Sequence, residues 1–163
     1  MKYHFDEPHG LTDVAAFHDL FSMPVVGEPS IPDPNRCQLR INLLSEELKE
    51  LEQAIQDNDL VEIADALCDL QYVLSGAVLE FGLASRFKQL FDEVQASNMS
   101  KACRDMETAV LTQNYYKEQK DTDSYIVEKN GEYLVYRSQD DKVLKSIAYR
   151  PADLKSIISA QIK

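Results

Sequence analysis

Two long segments with helical apolar spacing, divided only by Asp57-Asn58-Asp59, constrain this chain more than any other feature. The first runs from near Asn35 to about Gln56, with Leu39, Ile41, Leu43, Leu44, Leu48, Leu51 and Ile55 recurring at helical intervals. The second continues to about Phe81, where Gly82 suits a helix stop. So short a break turns one helix back on the other, and the spacing predicts an antiparallel hairpin. From Ala64 onward the second helix is apolar over most of its circumference, through Leu67, Leu70, Val73, Leu74, Val78 and Leu79. Such a helix must be covered on several sides. A chain of 163 residues offers few covering helices. The surplus therefore predicts a homodimer or homotetramer, with burial inside one chain as the alternative.

Around this hairpin the pattern is mostly helical. Thr12 is placed to cap a short helix to about Phe21, with Val14, Phe17, Leu20 and Phe21 as its stripe. Four prolines between Pro24 and Pro34 forbid a helix there and favour an extended surface segment. Helices are expected from about Ala84 to Ala96 and from about Asp105 to Glu118. Tyr125–Glu128 and Glu132–Tyr136 flank Lys129-Asn130-Gly131, and Asn-Gly between β-prone runs signals a hairpin. Pro151 suits the first turn of a last helix. The expected fold is mainly α, a helical bundle with a small C-terminal β-hairpin, in one domain.

Composition excludes several classes. Cys37, Cys68 and Cys103 are odd in number and widely spaced, so they form neither a disulfide framework nor a thiolate zinc site; Cys68 reads as a core residue. The N-terminus lacks the layout of a signal peptide, no apolar run is long enough to span a membrane, and a cytoplasmic location is the expectation. A net charge of -11 argues against nucleic acid or anionic lipid as a partner.

The densest acids have metal-ligand spacing. Glu47 and Glu50 are three apart, as are Glu62 and Asp65, so each pair shares a helix face. Glu46 reaches the face of Glu50, and a hairpin about Asp57–Asp59 brings both motifs to comparable heights. Asp65 lies where the helix turns apolar, and Asp69 follows one turn later. Carboxylates at the margin of a buried face need partners. An all-oxygen set favours a hard cation, magnesium or manganese. Taken alone, Glu-Glu-x-x-Glu also fits a solvated helix face, and Glu62 also fits a capping box with Asp59.

Glu46-Glu47-Leu48-Lys49-Glu50 followed by Glu62-Ile63-Ala64-Asp65 resembles the EExxE…ExxD signature of the all-α NTP pyrophosphatases. That superfamily includes MazG, the dimeric dUTPases and phosphoribosyl-ATP pyrophosphohydrolase. Phe17-His18, Pro32-Asp33-Pro34, Ala64–Leu70, Phe91-Asp92-Glu93-Val94 and Ser97-Asn98-Met99-Ser100-Lys101 are similar to the MazG-like branch with dUTPase-type activity. Lys142–Ser146, Tyr149 and Pro151–Leu154 resemble its C-terminal end. The likeness covers roughly residues 11–101 and 140–155.

The resemblance implies that water attacks the α-phosphorus of a nucleoside triphosphate, with dUTP or dCTP as the expected substrate. It implies that Glu47, Glu50, Glu62 and Asp65 hold Mg²⁺, with Mn²⁺ as a substitute. Glu46 is then a further ligand or orients the water, which makes Glu46 and Glu47 the implied catalytic pair. Asn98 suits a base or sugar edge. Lys101, Lys142 and Lys145 suit phosphates. Tyr149 suits a phosphate or packs against the bundle. Residues 104–137 have no counterpart in this pattern. Two rivals stand beside it: a non-catalytic nucleotide sensor on the same scaffold, and a carboxylate di-iron bundle. The second needs Glu-x-x-His pairs, and neither Glu50 nor Glu62 has a histidine three residues on.

Overall fold

The computed structural model describes residues 3–160. Its internal contacts divide the chain into two units, Met1–Lys88 and Gln89–Lys163.

The first unit is built on α1 (Gly10–Leu20), α2 (Pro34–Gln56) and α3 (Leu60–Glu80). Asp33 starts α2: its carboxylate accepts the Asn35 N–H at 2.9 Å, and Pro34 takes the first helical position, where no N–H is needed. Asp59 starts α3 the same way, accepting the N–H groups of Val61 at 2.9 Å and Glu62 at 3.2 Å. Asn58 adopts a left-handed φ of 56°, which lets the chain reverse within the expected three residues. α3 packs against both α2 and α1.

The proline-rich segment is extended, as its composition predicts, and lies on the end of α3. Val26 N–H donates to the Leu79 carbonyl at 3.0 Å, and Ser30 N–H to that of Phe81 at 3.1 Å. Gly82 ends the helix with a φ of +66°. A Cβ there would fall 2.0 Å from the Glu28 carbonyl oxygen, so the position admits glycine alone.

The core of this unit is partly ionic. Glu80 is buried on α3 and ion-pairs with Arg36 and Arg40 of α2, Arg40 being buried too. His18 of α1 completes the cluster. Its Nδ1 lies 2.8 Å from the Pro24 carbonyl, which can only accept, so Nδ1 carries the hydrogen. Nε2 then accepts from Arg40 Nη2 at 3.3 Å. Gly76 makes room: a Cβ there would lie 2.6 Å from Arg40 Nη1 and 3.1 Å from His18 Nε2.

α4 (Ala84–Met99) carries the chain into the second unit, followed by α5 (Met106–Lys120), β1 (Ser124–Lys129), β2 (Glu132–Arg137) and α6 (Leu154–Ser159). β1 and β2 pair antiparallel, with Tyr125 opposite Tyr136 and Val127 opposite Leu134. Asn130 and Gly131 both have positive φ, 55° and 80°, the two-residue turn expected of Asn-Gly. Cys103, Ala109, Val135 and Leu144 form the core, with Tyr116, Ile126 and Tyr133 against it.

The mainly α fold with a C-terminal hairpin is as expected, with four local corrections. Thr12 lies inside α1, which begins at Gly10 and has no side-chain cap. α4 extends past Ala96 to Met99. Pro151 precedes α6 and stays outside it, because Asp153 supplies the cap by accepting the Ser156 N–H. Cys68 is exposed, since α3 turns its opposite side, marked by buried Ala66, toward its neighbours. Among the described residues no single helix is long and apolar enough to cross a membrane.

Candidate active site

The hairpin gathers acids about Glu47, and Asp69 of α3 is one of them. Glu46 and Glu50 are exposed on α2, and Glu47 is half-buried. Burial, and then the charges of Glu50, Asp69 and Glu46, raise the Glu47 carboxyl above its usual range. Asp69 of α3 is thus close enough to act on Glu47. Asp65 lies one turn before Asp69 and shares its face, while Glu62 sits in the first turn of α3 beside the Asp59 cap. Both Glu62 and Asp65 are exposed. In an antiparallel pair turning at Asn58, positions equidistant from the turn lie opposite each other. That geometry pairs position 47 with 69, and it was available from the sequence.

The donor set is all oxygen, like-charged and mutually repelling, which suits a hard divalent cation. As the side chains stand, no three His, Cys, Asp or Glu among the described residues are drawn together as a metal-holding group. The cluster is crowded enough to perturb Glu47 without being closed into a coordination shell.

The second unit holds a contrasting cluster. Lys101 Nζ donates to Asn98 Oδ1 at 2.9 Å. Lys145 Nζ lies 4.4 Å from the centre of the Tyr149 ring. The Tyr149 hydroxyl is 3.0 Å from that of buried Ser97. Hydrogen bonding to Ser97, and then the positive fields of Lys145 and Lys101, pull the Tyr149 phenol below its usual range despite some desolvation. Asn98, Lys101, Lys145 and Tyr149, expected as substrate contacts, are therefore neighbours. Lys142 does not join them. It lies by Asp140, whose carboxyl Arg137, with a smaller contribution from Lys142, holds low.

Sequence reasoning noted Asp69 at the apolar margin without placing it among the ligands, and it gave no role to Ser97 or to the Arg36–Arg40–Glu80 cluster. Ser97 lies in the quoted Ser-Asn-Met-Ser-Lys run but carried no role there.

Over 85 residues, 51% of this chain, the sequence is 32% identical to an uncharacterized protein of Acanthamoeba polyphaga mimivirus. The match covers 34% of that protein, so the chain spans about a third of its length. The phosphoribosyl-ATP pyrophosphohydrolase family model matches residues 14–98, which takes in α2 and α3, most of α1 and α4, both acidic motifs and Asp69. That match covers just over half of the chain, and the chain belongs to the phosphoribosyl-ATP pyrophosphohydrolase family.

Proposed function

We propose that this protein hydrolyses a (deoxy)nucleoside triphosphate to the monophosphate and pyrophosphate, with magnesium as cofactor and dUTP or dCTP as substrate, and so cleanses the nucleotide pool. The observation that supports it most is the crowding of Glu47 by Glu50, Asp69 and Glu46 in a chain of a pyrophosphohydrolase family. Glu47, Glu50, Glu62 and Asp65 are the proposed ligands, and Asp69 joins them. When bound, magnesium supplies charge neutralisation for the triphosphate and for the departing pyrophosphate. The remaining work falls to the chain's own groups. Glu46 and Glu47 are the proposed catalytic pair, Glu46 to orient the attacking water and Glu47 to hold the cation beside it. The new bond forms at the α-phosphorus, the bond to the bridging oxygen breaks, and pyrophosphate leaves. Asn98, Lys101, Lys145 and Tyr149 are the proposed substrate contacts. A panel of nucleoside triphosphates tests the reading. Release of pyrophosphate with Mg²⁺, fastest from dUTP or dCTP and lost in EDTA, is expected. No release from any nucleotide by folded protein would refute it.

Assembly is the second part of the proposal. Leu20, Leu60 and Val61 are each about three-quarters exposed, and Phe21, Leu48 and Ile55 more than half. A second copy of the chain is the proposed cover for this apolar surface on α1–α3. Light scattering is expected to give the mass of a dimer or tetramer, and a monomeric mass at assay concentration would remove the proposal.

A further inference from the structure

The two strands of the hairpin differ in what lies along their outer edges. In an antiparallel ladder the positions that exchange hydrogen bonds alternate along each strand. Ser138 N–H donates to the Asp123 carbonyl at 2.9 Å, so positions 123, 125, 127 and 129 turn their backbone groups toward β2. Positions 124, 126 and 128 of β1 turn theirs outward, as do 133, 135 and 137 of β2. The outer edge of β2 is closed. Tyr133 exchanges both bonds with Cys103 at 2.8 Å, the Val135 carbonyl accepts the Leu144 N–H at 2.8 Å, and Arg137 N–H donates to the Lys142 carbonyl at 2.9 Å. The outer edge of β1 is open. The Ser124 carbonyl accepts from the Gln113 side chain, but among the described residues nothing bonds to the outward N–H and carbonyl of Ile126 or Glu128.

An open edge is a template for a further strand. The sequence of this one is complementary to itself when reversed. Tyr125, Ile126 and Val127 form its apolar centre, with Asp123 before them and Lys129 after. Outward-facing positions must meet outward-facing positions, so the available registers differ in steps of two. With Ile126 opposite Ile126, Tyr125 faces Val127, Ser124 faces Glu128 and Asp123 faces Lys129. Aromatic on β-branched, hydroxyl on carboxylate and opposite charges are each favourable cross-strand pairs. Ser124 Oγ is buried and has no hydrogen-bond partner within its own chain. A shift one way sets Ile126 against Glu128 and Asp123 against Gly131. A shift the other way sets Val127 against Asp123 and Lys129 against Asp121, the left-handed cap of α5, which lies outside the strand. One register alone matches apolar with apolar and charge with counter-charge.

We propose that the outer edge of β1 pairs antiparallel with β1 of a second copy of this chain, centred on Ile126, to give a four-stranded sheet in the order β2-β1-β1-β2. The pairing forms about six backbone hydrogen bonds, from Ser124, Ile126 and Glu128 of each copy. It places Lys129 of each copy on Asp123 of the other. Asp123 already meets Lys117 of its own chain at 2.9 Å, and its second oxygen faces outward for Lys129. Two strands alone are marginal and four are not, so each hairpin gains from the other. β1 lies in residues 104–137, the stretch without a counterpart in the family pattern, and this gives that stretch a role in assembly. The surface is separate from the apolar face of α1–α3, and the inference is independent of the hydrolase reading.

Cross-linking of the full chain tests both the contact and its register. In a Cys37→Ser/Cys68→Ser background, Tyr125→Cys with Val127→Cys puts a cysteine opposite a cysteine across the two copies. Mild oxidation is expected to give a covalent dimer from that pair and none from either cysteine alone. A dimer from Tyr125→Cys alone or from Val127→Cys alone would overturn the register, and no dimer from the pair would overturn the contact. Sedimentation over a concentration series is the second measurement. The Glu128 N–H faces outward, so Glu128→Pro keeps every bond between β1 and β2 while blocking the new edge. It is expected to weaken self-association by about tenfold or more with the melting temperature of the hairpin's own fold little changed. Lys129→Glu should weaken it by a smaller factor, and more so at low salt. An association constant unchanged by Glu128→Pro, or a wild type that is monomeric throughout, would refute the proposal. Leu60→Glu, on the helical face, separates the two surfaces: the covalent dimer should still form, and its loss in that variant would assign the contact to the helices instead.

Discussion

Asp69→Asn is expected to lower turnover roughly 100-fold or more while leaving the metal-free protein as stable as wild type, or slightly more so. The two effects have opposite signs because one charge takes part in both. Without a cation, the Asp69 carboxylate raises the free energy of the ionised Glu47 nearby, as Glu50 and Glu46 also do. Asparagine keeps the shape and removes that repulsion. With the cation present, the same substitution removes a ligand charge, and several kcal/mol of transition-state stabilisation go with it. Pyrophosphate release in Mg²⁺ measures the first effect, and thermal melting in EDTA the second. Mg²⁺ should also raise the melting temperature of wild type more than that of the variant, since only a bound ligand stabilises. Asp65→Asn and Glu50→Gln are the comparison. If Asp69→Asn turns over normally while Asp65→Asn does not, the cation sits with Glu62 and Asp65, and Asp69 leaves the site. Normal rates in Glu47→Gln and Glu50→Gln alike would remove the cluster altogether.

What the sequence revealed and what it hid have a common cause. Features written in neighbouring residues were legible. Asp33-Pro34 and Asp59 set helix starts, Asp57-Asn58-Asp59 set the reversal, and Asn130-Gly131 set the turn of the strands. Each works through hydrogen bonds or backbone angles within four residues. Facing across the helical hairpin was legible only in part. The three-residue spacing that links Glu62 to Asp65 says which acids share a helix face, not which of them meets Glu47. Counting outward from Asn58 would have selected Asp69. Contacts between residues far apart in sequence were hidden where no motif marked either partner. Arg40 and Glu80 are forty residues apart, and nothing local marks either as buried. Cys68 failed for a related reason: an apolar stretch of helix implies a covered side, but the register of packing decides which residues lie on it. The lysine cluster gives the opposite case. Its members were named from motifs well separated in the chain, and the fold of residues 89–163 brings four of the five together while leaving Lys142 beside Asp140.

Glu80→Ala carries the largest expected loss of stability, about 3–5 kcal/mol. The carboxylate is buried and accepts from both Arg36 and Arg40. Removing it leaves the Arg40 guanidinium in the interior without a counter-charge, beside His18 Nε2 and an Nε that already lacks a partner. Arg36 is about a third exposed and can turn to water, so Arg36→Ala should cost less than Arg40→Ala. Replacing both buried members, Arg40→Met with Glu80→Leu, should cost less than the two single changes added together, because no charge is then stranded. The pair also sets an acid limit. Burial opposes ionisation of Glu80, yet Arg36 and Arg40 outweigh it and hold the carboxyl below its ordinary value of 4.5. A carboxylate held low contributes in full above the unfolded value, and the contribution is lost as pH falls through the folded one. Urea melts of wild type should therefore lose stability increasingly below about pH 4.5, and Glu80→Gln should flatten that decline while lying lower at neutral pH. A Glu80→Ala variant within about 1 kcal/mol of wild type, with an unchanged acid profile, would reduce the cluster to the worth of a surface ion pair.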